Sequence, residues 1–269
     1  MGIKKNAENT GNAVHITELC EIGDRERQED SRGYGGSGEY AYAVLADGIG
    51  GMEQGEASSG FLVNFASEWL AASKADADTE ICNGLYDMIQ SANDKLRAHM
   101  AKQDGLNSGS TLLAVSIRQN RLFWVSAGDS RIYLLRGGRL FCLTRDHVRL
   151  LDNLRKAADG EISFEDACAD PMAKALTCYM GAVRLLDVDR NIKPLILLPG
   201  DKVMLCSDGV YGALTEDEMI KALTQNREEA VRAIKTGVLA ARLPHQDNFT
   251  ALVISVPPAS HFAGICKRK

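Results

Sequence analysis

Apolar positions along the chain recur with two different periods. Ala57, Phe61, Phe65 and Trp69, with Leu62, Ala66 and Leu70 alongside, repeat at helical spacing. Leu85, Met88, Ile89, Ala92, Leu96 and Met100 do the same, so each set predicts a helix that lays an apolar stripe against a core. Between 109 and 143 the pattern shortens to "GSTLLAVSIRQNRLFWVSAGDSRIYLLRGGRLFCL". Short apolar runs broken by Gln-Asn, Gly-Asp and Gly-Gly predict an antiparallel meander. Further strands are expected at 41–46, 202–207 and 249–256, and Thr215 followed by Glu218 is a capping-box start for a helix. Strands cluster and helices pair without regular βαβ alternation, which favours sheets with helices packed on them over a doubly wound fold.

Residues 144–180 break this rhythm. The segment is charged, weakly helical and without strand character, as expected of a surface subdomain or flap. Residues 1–13 and 257–269 read as polar tails, the second one basic, and no internal repeat separates domains. A 45% hydrophobic and 25% charged composition over 269 residues suits a soluble chain with a sizeable core. The net charge of −5 argues against a nucleic-acid surface. No apolar run approaches the ~20 residues that span a bilayer. The start "MGIKKN" has neither a secretory apolar region nor the Ser or Thr of a myristoylation signal. Seven scattered cysteines (Cys20, Cys82, Cys142, Cys168, Cys178, Cys206 and Cys266) form no CxxC pair and read as reduced thiols in a cytoplasmic protein.

The chemistry concentrates where strands finish. Glu29 and Asp30 follow the first strand region, Asp47 follows "YAVLA", Asp129 follows "LFWVSAG" and Asp208 follows "KVMLCS", while Asp247 precedes "FTALVISV". One such aspartate is ordinarily a turn residue or helix cap. Several, each beside Gly, Ser or Asn and against an apolar strand, would repel one another unless cations neutralised them. Hard divalent ions take carboxylate, carbonyl and water oxygens, so an acidic metal centre is one reading of the pattern. Gly48 after Asp47 lets backbone approach closely, so that its carbonyl could serve beside the carboxylate.

Seven pieces, in order, resemble the metal-dependent protein Ser/Thr phosphatases of the protein phosphatase 2C type: "GDRERQED" (23–30), "DGIGGMEQGEAS" (47–58), "GSTLL" (109–113), "GDSRIYLL" (128–135), "LTRDH" (143–147), "CSDGVYGAL" (206–214) and "DNFTALVI" (247–254). The resemblance covers about residues 14–256 and implies an α+β fold, a four-layer α-β-β-α sandwich of two antiparallel sheets flanked by helix pairs, with the flap at about 144–180. It implies two Mn²⁺ or Mg²⁺ ions. Asp47 would bridge both, the Gly48 carbonyl and Glu29 would serve one, and Asp208 and Asp247 would hold the other. Asp30 would hydrogen-bond metal-bound water, and Arg25 would bind the phosphate through its guanidinium fork. The implied reaction is hydrolysis of phosphoserine and phosphothreonine by direct attack of a metal-bridging water, which leaves Cys206 a core thiol.

The chain departs from the family pattern in places. Ile49 stands where some relatives have a histidine that protonates the leaving group. Asp129 matches a third-metal ligand, but Gly212 replaces another, and Cys178 replaces an arginine at the end of the flap. His147 in "RDH" reads as structural. The expected partners are phosphoserine/phosphothreonine proteins and an opposing Ser/Thr kinase, with no nucleic acid, no membrane and a monomeric state. The alternatives are an inactive pseudophosphatase that binds phosphoproteins and a phosphatase for small metabolites.

Overall fold

The computed structural model describes residues 14–49, 55–102 and 108–258. Nearly all of both expected tails, Cys266 and residues 50–54 of the glycine-rich turn lie outside the described residues. In chain order, β1 (His15–Glu21), β2 (Asp30–Ser37) and β3 (Tyr40–Asp47) precede the helices α1 (Gly55–Ala72) and α2 (Asp78–Ala101). Then come β4 (Leu112–Arg118), β5 (Arg121–Ala127), β6 (Arg131–Arg136) and β7 (Arg139–Cys142). The flap carries α3 (Arg149–Ala158) and α4 (Phe164–Ala169), and is followed by β8 (Asp189–Arg190), β9 (Leu195–Ile196) and β10 (Lys202–Cys206). The chain closes with α5 (Asp208–Tyr211), α6 (Glu216–Thr224), α7 (Arg227–Ala241) and β11 (Phe249–Ser255).

Two antiparallel sheets form, one ordered β1-β11-β10-β6-β7 and the other β2-β3-β4-β5, with β8 and β9 both on β5. Strand alternation divides the core into three layers. In β3, Ala43 and Leu45 face the opposing sheet with Leu113, Leu134, Val203 and Leu252. Tyr42, Val44 and Ala46 turn the other way, onto Leu62, Leu70, Leu85 and Met88 of α1 and α2. On the far side Met204, Phe249 and Val253 meet Met219 and Leu223 of α6 and Ile234 and Val238 of α7. This is the expected α-β-β-α sandwich. The Thr215 capping box is present, its hydroxyl accepting from the Glu218 amide while the Glu218 carboxylate accepts from the Thr215 amide.

Two expectations need correction. The stretch 109–143 is not one meander: β4 and β5 pair in one sheet, whereas β6 and β7 pair in the other. The chain changes sheets at Gly128, whose φ of +113° suits glycine and whose hypothetical Cβ would lie 2.5 Å from Thr111 Cγ2. The α1 stripe is also split, because Leu62, Ala66 and Leu70 are buried while Phe61 and Phe65 are only half-buried and Trp69 is 37% exposed. Among the described residues no helix is long and apolar enough to cross a membrane.

Candidate metal centre and active site

Antiparallel register brings the strand-end carboxylates to one end of the sandwich. Asp30 opens β2 directly opposite Asp47, the last residue of β3. Asp208 follows the end of β10, which pairs with the start of β11, just after Asp247. The corner at Gly128 delivers Asp129 to the same end. Glu29, Asp47, Gly48, Asp129, Asp208 and Asp247 therefore line one cavity of about 120 Å³, with Arg25, Ile49, Thr111, Leu176 and Asn248. Asp30 is 4% exposed and lies beneath this lining rather than in it.

Hydroxyl and amide groups fix the carboxylates. The Asp47 amide donates to Thr111 Oγ1 (2.9 Å), and its carbonyl accepts from Ser110 Oγ (2.8 Å). Thr111 Oγ1 is in turn 2.8 Å from Ser130 Oγ. Ser207 Oγ donates to Asp30 Oδ2 (2.8 Å), while the buried Asp30 Oδ1 has no hydrogen-bond partner among the described residues. Asn248 Oδ1 accepts from the Glu29 amide (2.7 Å), and the Asn248 side-chain amide donates to the carbonyls of Ile22 (2.7 Å) and Arg27 (3.0 Å). None of Ser110, Thr111, Ser130, Ser207 or Asn248 was singled out from sequence. All five did fall inside the quoted motifs, and their small polar character was the available signal.

The electrostatics are those of too many anions in too little water. Burial, then the charges of Asp30, Asp208, Asp129 and Asp247, hold the Asp47 carboxyl well above the usual carboxylate range. Burial and the neighbouring Asp129, Asp247 and Asp30 push Asp208 up to about 7. Burial raises Asp30 to about 6, against the hydrogen bond from Ser207. Glu29 and Asp129 are raised as well, chiefly by burial. Among the described residues the only cationic side chain lining this cavity is Arg25, whose Nη2 donates to Asp247 Oδ2 at 2.6 Å.

The residues present fit hard divalent cations. Every charged donor is a carboxylate oxygen, the excess charge is negative, and a buried Asp30 oxygen stands unpartnered. Glycines make the cradle: a Cβ on Gly48 would lie 2.6 Å from the Gly55 carbonyl, and one on Gly55 would lie 2.6 Å from Glu29 Oε1. Among the described residues, no three His, Cys, Asp or Glu side chains are already closed into a ligand group. The carboxylates surround the cavity instead, as mutual repulsion dictates.

The departures from the family pattern also find places. Ile49 lines the cavity with an apolar wall. Gly212 caps α5 in helical conformation, and a Cβ there would sit 2.8 Å from the Asp208 carbonyl. Cys178 does not face the cavity. It is 3% exposed and packs with Met180 and Leu185 against α2, so this position is core here. Cys206 is fully buried, and burial pushes its thiol far above the usual range. His147 is buried with Nδ1 3.1 Å from the Gly128 nitrogen and 2.9 Å from its oxygen. The flap reaches the cavity through Leu176, which bridges to Val148. Sequence reading missed Leu176 because its neighbours in the chain are charged and small.

Comparison with known proteins agrees with this picture. The family model described as Protein phosphatase 2C matches residues 21–246. The chain is 30% identical over 233 residues to the Listeria monocytogenes protein named serine/threonine phosphatase stp, covering 86% of this chain and 90% of that one. The solved serine/threonine phosphatase of S. agalactiae superposes with a TM-score of 0.79 at 26% identity, over 90% of this chain and 99% of that one. The catalytic domain of the serine/threonine protein phosphatase PstP, solved with two manganese ions, superposes with a TM-score of 0.72 at 25% identity, over 91% and 98% of the two chains. A match this long, on a sandwich whose motifs meet around one acidic cavity, makes this chain a member of the protein phosphatase 2C family.

Proposed function

We propose that this chain is a metal-dependent phosphatase that hydrolyses phosphoserine and phosphothreonine in proteins. The observation that carries the proposal is the single cavity of about 120 Å³ walled by Glu29, Asp47, Asp129, Asp208 and Asp247 and faced by Arg25. In this reading Asp47, Glu29, the Gly48 carbonyl, Asp208 and Asp247 would hold the two ions, with Asp47 shared between them. Asp129 would be a ligand of a third, for which Gly212 offers no side chain. Two manganese or magnesium ions bound there would supply an acidified water as nucleophile and offset the charge of the phosphoryl group.

The chain's own residues do the rest. Asp30, held by Ser207 behind Asp47, has a free Oδ1 with which to accept a proton from water. Arg25 is close enough to trade Asp247 for a phosphate, and its fork suits two phosphoryl oxygens. Ile49 and Leu176 offer no proton donor, so the leaving serine or threonine oxygen takes its proton from solvent. No covalent phosphoenzyme is needed, in keeping with the inert, buried Cys206. An opposing Ser/Thr kinase, a cytoplasmic location and a monomeric state belong to the same reading.

The test is turnover of p-nitrophenyl phosphate and a phosphothreonine peptide with and without Mn²⁺, for wild type and Asp208→Asn. Metal-dependent hydrolysis that collapses in the variant is expected. Folded protein that binds the phosphopeptide without turning it over would instead establish an inactive binding module. Preference for small phosphorylated metabolites over the peptide would move the substrate class.

A further inference from the structure

Beside the catalytic cavity lies a second hollow of about 490 Å³, bounded by Arg27, Glu29, Glu56, Gly60, Phe61 and Asn64. Glu29 lines both hollows, so the second is a side chain's width from the first. Gly55, which lines the second hollow, carries no side chain, and a Cβ there would collide with Glu29 Oε1.

From this hollow an aromatic row runs along the outer face of α1. Phe61 and Phe65 stack with ring centres 6.5 Å apart, Phe65 and Trp69 follow at 6.0 Å, and His99 of α2 stacks on Phe61 at 5.1 Å. Helical spacing alone would bury these rings. The fold turns Leu62, Ala66 and Leu70 inward instead and leaves the ring faces half-open. Half-open aromatic rings in a row, ending in the exposed Trp69, are characteristic of contact surfaces rather than of solvated helix faces.

We infer that this groove receives the polypeptide flanking the phosphoresidue of the substrate protein, with an apolar side chain of that segment resting on Phe61. The inference rests on the phosphatase reading and deepens it. The catalytic cavity, at about 120 Å³, is about a quarter of the volume of the hollow beside it, so the phosphoryl group rather than the residues attached to it belongs there. The rest of a phosphoprotein must therefore leave the cavity across adjoining surface. An extended chain advances about 3.3 Å per residue, so its next two or three residues reach the hollow at α1. Arg27 faces Glu29 and Glu56 there, which gives no field of one sign to select a charged segment. Apolar contact with Phe61 and main-chain hydrogen bonding to the exposed Asn64 carry the recognition.

The experiment compares wild type, Phe61→Ala and Asn64→Trp on three substrates: p-nitrophenyl phosphate, a phosphothreonine peptide with leucines at the flanking positions, and the same peptide with glycines there. Wild type is expected to show a KM about tenfold lower for the leucine peptide than for the glycine peptide, the value of one apolar side chain removed from water. Both variants are expected to erase that difference while kcat and turnover of p-nitrophenyl phosphate stay within about twofold. Asn64→Trp adds bulk at an exposed position, so it tests the groove even where Phe61→Ala unfolds in a melting experiment. Equal KM values for the two peptides in wild type, or losses shared equally by p-nitrophenyl phosphate, would overturn the groove. So would a dimer in sedimentation that Phe61→Ala abolishes, because the ridge would then belong to a second copy of the chain. Failure of wild type to hydrolyse p-nitrophenyl phosphate at all would be a failure of the phosphatase reading itself.

Discussion

Two sets of aspartates, buried or half-buried, lie in this molecule under opposite electrostatic conditions. Asp201, 2% exposed, is fully answered: Arg136 donates to it through Nε (3.0 Å) and Nη2 (2.6 Å), and the Leu198 amide adds a third bond at 2.7 Å. Asp146 likewise takes both forks of Arg131, at 2.9 and 2.6 Å. Around the acidic cavity, Asp47, Asp129 and Asp208 face one another, and the guanidinium that lines it, that of Arg25, is committed to Asp247. The first set completes its interactions within the chain. The second leaves them open for something that binds. A carboxylate that burial perturbs and that the fold leaves unpaired is a candidate for function.

The sharpest way to break this comparison is to neutralise one member of each set. Asp47→Asn is expected to lower phosphatase turnover by roughly 10³-fold, on the scale of losing one preorganised electrostatic group in an active site. The same change should raise the melting temperature of metal-free protein, because it removes a charge that burial and four neighbouring aspartates oppose. A variant both inactive and less stable than metal-free wild type would show that Asp47 is paired after all.

Asp201→Ala should do the reverse. It strands three donors, two on Arg136 and the Leu198 amide, so roughly 3 kcal/mol of stability is expected to be lost. Turnover per folded molecule should remain unchanged, as urea titration and active-site counting together can establish. A stable Asp201→Ala protein would mean that the pair contributes little and that the contrast lies in solvent access alone.

The smallest effect is the dependence of stability on pH. Asp30 and Asp208 have folded values raised from 3.8 to about 6 and about 7. Between the ordinary and raised values the folded chain binds more protons than the unfolded chain, so stability falls as pH rises through that window. Metal-free protein should therefore melt a few degrees lower at pH 7.5 than at pH 5. Saturating Mn²⁺ should remove or invert the slope by taking the place of those protons, since a ligand of the folded state alone stabilises it by mass action. A melting temperature that rises with pH in chelator would contradict the raised values.

Much of this was legible in the chain. The paired helices, the strands at 41–46, 202–207 and 249–256 and the capping box at Thr215 follow from local period and local hydrogen bonding, which a short window contains. The strand-end carboxylates could be named for the same reason, and their resemblance to a family pattern supplied the assignments. Other features depend on residues far apart. Ser207 holds Asp30 across 177 positions and Asn248 holds Glu29 across 219, pairings that no local pattern encodes.

The sequence by itself determined which residues are apolar, at what period, and which carboxylates interrupt them. Those properties belong to single residues and their near neighbours. Only the tertiary structure decided that β5 and β6 part company at Gly128, that Cys178 turns into the core, and that Phe61, Phe65 and Trp69 stay at the surface. Periodicity reports that a side chain avoids water, but it does not say what covers that side chain. It likewise names an aspartate without saying whether an arginine will be there to meet it. Both are settled by the register and packing of whole sheets.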